Sequence, residues 1–152
     1  MRGNAIFLSN FIEGNKVQYI IPVYQRNYDW FIENCDQLFH DLVKVIQSNR
    51  HTHFFGSIVT SSADGYGLNR LVIDGQQRLT TISLLLLAGI KAVKNGLLSV
   101  SNASRIDEAY DVFLFAKYCN GDRKIKLVPI ENDLIAYDRI FEEESNLIEN
   151  SK

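Results

Sequence analysis

Leu71-Val-Ile-Asp-Gly-Gln-Gln-Arg-Leu-Thr-Thr81 is the stretch on which the fold turns. Leu71 to Ile73 read as a buried strand, and Asp74-Gly75 breaks it. An apolar run then predicts a helix from Gln76 to Lys94, stopped by Asn95-Gly96. Through Leu84-Leu-Leu-Leu87 this helix is apolar nearly all round, which makes it the central buried helix. A helix N-terminus presents unpaired N–H groups and about half a positive charge, a combination that favours phosphate. Gly75 permits unusual φ and a close approach to the backbone. Arg78 offers a bidentate fork. Gln76 and Gln77 suit base or ribose contacts, or the orienting of an attacking water. Asp74 suits either a metal-bound water or a helix cap, and Asp74-x-x-Gln77 is also the pattern of a capping box.

Around this centre, Phe7, Leu8, Phe11 and Ile12 have helical spacing, and Val17 to Ile21 reads as a strand ended by Pro22. Glu33 to Ser48 is an amphipathic helix with Cys35, Leu38, Phe39, Leu42, Val43 and Ile46 on one face. His53 to Thr60 and Arg70 to Ile73 read as the strands of a hairpin with a long loop containing Gly65 and Gly67. Arg105 to Cys119 reads as a helix, Lys124 to Val128 as a strand, and Asn132 to Glu144 as a last helix. The pattern is α+β, mixed, in a single domain spanning 1–152.

The composition excludes several classes. Of 152 residues, 46% are hydrophobic and 22% charged, which is globular rather than disordered. The net charge of −2 argues against holding DNA by bulk charge. The acidic tail, Glu142 to Lys152, carries four Glu and one Lys, so Met1 to Phe141 stands at +1. Two distant cysteines, Cys35 and Cys119, make no secreted disulfide framework. The most apolar stretch, Leu79 to Val93, contains Thr80, Thr81, Ser83 and Lys91 and falls short of the ~18–20 residues that span a bilayer. The chain reads as cytoplasmic, with no membrane segment and no redox cofactor.

Ile21-Pro-Val-Tyr-Gln-Arg-Asn-Tyr-Asp-Trp30 has no clear period and interleaves aromatics with Arg26 and the amides Gln25 and Asn27. Flat rings with polar handles beside an arginine are the means of holding a nucleotide or an extruded nucleic-acid segment. The competing reading is an aromatic cluster that closes the core, with Trp30 inside it and Arg26 solvated.

IPVYQRNYDW, HFFGSIV and LVIDGQQRLTTISLLLL, in this order, resemble the GmrS-type domain at the N-terminus of GmrSD-like, modification-dependent restriction enzymes, in the ParB/sulfiredoxin-like superfamily. The resemblance covers about Ile6 to Phe141. It implies a domain that binds and hydrolyses NTP with Mg²⁺ and couples this to sensing modified DNA. It also implies that Asp74, Gly75, Gln76, Gln77 and Arg78 line the phosphates, with Asp74 the candidate metal ligand. Tyr24, Gln25 and Arg26 are expected to face the same cleft, and Phe54 to Gly56 to form its strand floor, with Gly56 giving ligand clearance. Such enzymes continue into an HNH-type nuclease, which needs histidines in a ββα unit. His40, His51 and His53 all precede the DGQQR segment, so no nuclease site is expected in this chain. A nuclease in a missing domain or another chain is the implied partner, and the 152 residues read as truncated on the C-terminal side. The alternative is a non-catalytic module that senses modified DNA through Tyr24, Arg26 and Trp30. A phosphodiesterase at the same cleft lacks a supporting histidine or carboxylate cluster.

Overall fold

The computed structural model describes residues 4–14, 16–48, 52–65, 68–102, 104–118 and 122–149, with side chains to residue 142. His51, Gly67 and Cys119, to which the sequence reading gave a place, lie outside the described residues. The architecture is α+β. A four-stranded sheet has the order β2 (Val59–Ser62), β3 (Asn69–Asp74), β1 (Gln18–Ile20), β6 (Leu127–Val128), and β4 (Phe115–Lys117) and β5 (Arg123–Ile125) form a separate two-stranded sheet.

Strand β1 (Gln18–Ile20) lies inside the larger sheet and runs parallel to both neighbours. One is β3 (Asn69–Asp74), with Ile20 opposite Leu71; the other is β6 (Leu127–Val128), with Ile20 opposite Val128. Strand β2 (Val59–Ser62) closes an antiparallel hairpin with β3, with a register shift between Val59 and Thr60. The expected hairpin is therefore present, but its first strand begins later than His53. Residues 52–58 are not strand, and the positive φ of Gly56 (96°) explains why the run cannot stay extended.

Helix α3 spans Gln76–Lys94, the range read from the sequence. Its N-terminal half packs on the sheet, where Leu79 joins Tyr19, Ile21, Val72, Leu127 and Ile130. Its C-terminal half enters a second core, where Leu87 and Ile90 meet Tyr110, Leu114, Phe115, Tyr137 and Phe141. One long helix thus ties two cores together. The second core is completed by α4 (Ser104–Leu114), β4 (Phe115–Lys117) and α5 (Glu131–Glu149).

Two expectations are corrected by the fold. The helix expected to reach Cys119 ends at Leu114, because Phe115 to Lys117 pair with β5 (Arg123–Ile125). The single strand expected at Lys124 to Val128 is two strands divided at Lys126. Short helix α1 (Leu8–Ile12) and amphipathic α2 (Ile32–Gln47) lie where expected, and of α2 only Leu38 is buried. Among the described residues, no helix is long and apolar enough to cross a membrane.

Candidate functional site

The site is assembled by two buried amides. Gly75, at φ 91°, turns the chain from β3 into α3. The next two side chains, Gln76 and Gln77, are only 7% and 6% exposed, although they occupy the first turn of a helix. They bury themselves against the loop that follows β1. Gln76 Nε2 donates to the Arg26 carbonyl (3.2 Å) and Gln77 Nε2 to the Asn27 carbonyl (2.9 Å). Gln77 Oε1 in turn accepts the Asp29 N–H at 3.1 Å. Gln25 Nε2 reaches the Ile73 carbonyl at 2.9 Å. The YQRNYD loop is thus laced across the N-terminus of α3. Each such bond contributes about 0.5–1.5 kcal/mol, and a buried group left unpaired costs about 1–3 kcal/mol.

Tyr28 anchors the other side of the loop. Its N–H donates to Asp133 Oδ2 at 2.7 Å, and its hydroxyl lies 2.9 Å from Thr81 Oγ1 and 3.3 Å from Cys35 Sγ. Burial, and then the neighbouring thiol, push the phenol up to about 12, so it stays protonated at neutral pH.

Between the loop, α3 and α5 lies a cavity of about 190 Å³. Its walls are mostly apolar: Ile21, Leu84, Pro129, Ile130 and Ile140. Its polar lining includes Arg26, Gln76 and Asp133. Gln76 Oε1 is buried and has no hydrogen-bond partner. A buried amide oxygen left in that state is costly unless something donates to it.

The structure separates residues that the sequence reading placed together. Gln76, Gln77 and Arg26 line the cavity, while Asp74, Gly75 and Arg78 do not. Arg78 turns toward the 56–57 segment, donating from Nη2 to the Ser57 carbonyl at 2.6 Å, and Asp74 stands 3.9 Å from it. The capping-box reading fails: Gly75 is the N-cap, with no side-chain cap bond, and Gln77 is spent on the loop. Gly56 clears a guanidinium rather than a ligand, since a Cβ there would sit 2.5 Å from Arg78 Nη1. Gly75 is likewise backed by protein, with Ser57 O and Ile58 Cγ1 each 3.1 Å from where its Cβ would lie. Phe54 forms no strand floor and is 86% exposed. Tyr24 is 68% exposed. Trp30, read as a core residue, is half-buried. Among the described residues, no three His, Cys, Asp or Glu gather as metal ligands.

Asp133 was not singled out from the sequence. Its available signal was an acid in the first turn of a helix entered through Pro129-Ile130, which reads as ordinary N-terminal charge.

A strand that passes through a left-handed glycine into a buried helix, whose first two amides hold a basic aromatic loop over a cavity, defines an α+β domain with a recess at the start of that helix. The family is narrower than that class. The chain matches the GmrSD restriction endonuclease N-terminal domain over residues 8–152 and belongs to that family, whose members are components of restriction systems. No curated protein matches it.

Proposed function

We propose that this domain binds and hydrolyses a nucleoside triphosphate at the N-terminus of α3, as the regulatory part of a modification-dependent restriction or phage-defence system. The observation that carries the proposal is the cavity of about 190 Å³ at the N-terminal end of α3, lined by Arg26, Gln76 and Gln77. Apolar walls beside a cation and a positive helix end suit a ligand with a flat ring and an anionic tail.

The geometry supports the following roles. Gln77 holds the loop in place rather than positioning water, because both ends of its amide are committed. Arg26, tethered to Asp29 at 2.9 Å, is exposed at the mouth and neutralises phosphate charge. Arg78 keeps guanidinium donors beyond the one given to Ser57 and adds to the same field. Asp74, exposed at the end of β3, offers one hard oxygen, and Mg²⁺ commonly takes one or two carboxylates plus phosphate oxygens. Mg²⁺ bound there with the nucleotide would offset the charge of the phosphate oxygens. Modified DNA is the signal in this reading, and an HNH-type nuclease domain or partner chain does the cutting.

The test is phosphate release from NTP and Mg²⁺, with Gln76→Ala and Arg78→Ala beside the wild type. Wild-type release reduced at least tenfold in both variants supports the reading; equal release by all three, or no nucleotide binding by the wild type, overturns it. Exposed Val23 and Tyr24 beside Arg26 favour a second reading, a non-catalytic module that holds modified DNA. Salt-sensitive DNA binding lost in Arg26→Ala but kept in Arg78→Ala would select it.

A further inference from the structure

We infer that α2 is a dimerisation helix, which pairs antiparallel with α2 of a second copy of this chain through Ile32, Phe39 and Ile46. This stands apart from the nucleotide reading above. The three residues recur every seventh position, about two helical turns, so they form one line along the helix. With Cys35 and Leu42 between them they make the 3-4-3-4 spacing of a helix–helix seam. Cys35 and Leu42 are half-buried, but Ile32, Phe39 and Ile46 are 69%, 49% and 78% exposed. The fold covers α2 poorly, since Leu38 is its one buried residue. A contiguous row of large apolar side chains left in water marks an association surface.

The occupant follows from the order of the row, which reads Ile-Phe-Ile from either end. A two-fold axis at Phe39 sets Ile32 against Ile46 of the partner subunit and Phe39 against its own copy. That is the self-complementary match a two-fold dimer requires. Antiparallel pairing also places each helix's negative C-terminal end beside its partner's positive N-terminal end. Size then sets the strength. With exposed Phe31 at the N-cap, and rings of ~150–250 Å², the row offers about 500 Å² per copy, or about 1,000 Å² for the pair. Stable complexes bury roughly 1,200–2,000 Å², so this dimer is weak and reversible. It also reaches the candidate site. The Phe31 N–H donates to Asn34 Oδ1 at 3.0 Å, and the Tyr28 hydroxyl lies 3.3 Å from Cys35 Sγ, so the first turn of α2 is tied to the loop over the cavity.

Sedimentation velocity of the full chain, from about 1 μM to about 500 μM, tests this. The wild type should move from monomer toward dimer as concentration rises. Ile32→Asp alone and Ile46→Lys alone should stay monomeric, since each self-pair buries a charge against isoleucine at both ends. An equimolar mixture of the two variants should associate more tightly than either alone, by about tenfold or more. The introduced carboxylate then faces the introduced ammonium at one end, and two isoleucines meet at the other. In a parallel pair the new charges lie at opposite ends, and mixing restores nothing. Phe54→Asp, exposed and outside α2, should leave the wild-type dimer unchanged. A wild type that stays monomeric overturns the inference, and that series decides even if a variant does not fold. Single variants that dimerise as well as the wild type overturn it too, because another surface is then in use. Folded variants that gain nothing on mixing overturn the antiparallel pairing.

Discussion

Two buried polar centres of the same fold are built on opposite principles. At the N-terminus of α3, Gln76 and Gln77 donate to loop carbonyls, yet the Gln76 amide oxygen is left buried without a partner, and a cavity of about 190 Å³ lies alongside. Lys126, only 2% exposed, sits where the strand divides β5 from β6. Its ammonium donates to the Ile12 carbonyl at 2.7 Å and to the Val112 carbonyl, clipping the ends of α1 and α4. The void beside it is about 10 Å³. One centre leaves an acceptor and space; the other satisfies helix-end carbonyls and leaves almost no space. The difference separates a recess with space in it from a polar staple.

The contrast sets an order of expected effects. Lys126→Ala should be the most destabilising, by about 3 kcal/mol in urea unfolding, because it orphans two carbonyls and opens a hole. A loss below about 1 kcal/mol would show that Lys126 is no staple. Gln77→Ala should follow at about 2 kcal/mol, since the Asn27 carbonyl and Asp29 N–H lose their partner together; near-wild-type stability would mean that the loop holds without it.

The staple also has a signature in pH. Burial holds the Lys126 ammonium down to about 8 from 10.5, opposed by the charge of Glu13. Between those values the unfolded chain binds the extra proton, so stability rises with pH, by at most about 1.4 kcal/mol per unit. Below about 8 the cost of the buried charge is fully present. Above about pH 10 the sign reverses: burial keeps the Tyr19 phenol up at about 12, so the unfolded phenol ionises first. Urea titrations at about pH 7.5 and about pH 9.5 should show the rise in wild type and its absence in Lys126→Met, and an equal rise in both would break the assignment.

Gly56→Ala should cost about 1–2 kcal/mol through positive φ, while displacing Arg78 and lowering phosphate release. Unchanged release would remove Arg78 from the site. Gln76→Leu should change stability least, within about 1 kcal/mol, because it removes an orphaned acceptor along with one bond. If nucleotide binding survives while the fold suffers, the contrast between the two centres is inverted.

Much of this could be read in advance, for identifiable reasons. The bounds of α3 were legible because Gly75 and Asn95-Gly96 punctuate an apolar run. The loop of residues 21 to 30 and the DGQQR segment were expected to face one cleft, and the two segments do meet. What escaped was direction. Nothing local tells whether Arg78 points to a ligand or lies against Gly56, since the answer depends on a segment about twenty residues away (Arg78 to Ser57). Residues 53–58 looked like strand because their apolar residues outweigh one glycine on paper; its positive φ outweighs them in the chain. Phe115 to Lys117 carried on a helical period, but pairing with β5 overrode it. Lys126 fell among alternating residues and gave no sign of being buried.

The central strand has a consequence for how the molecule comes into being. Strand β1 is only three residues long, and one of its two partners is β6. The side chain of Gln18 reaches the Ile125 carbonyl, 107 positions along the chain. Contacts of that reach slow folding, since a long loop must close before any reward arrives. During synthesis the first strand waits unpaired on one edge until nearly the last sheet residue has left the ribosome. Asp133 emerges later still, so the recess is not whole until the chain has passed that point, and a product ended before it would carry the DGQQR segment without the cavity beside it.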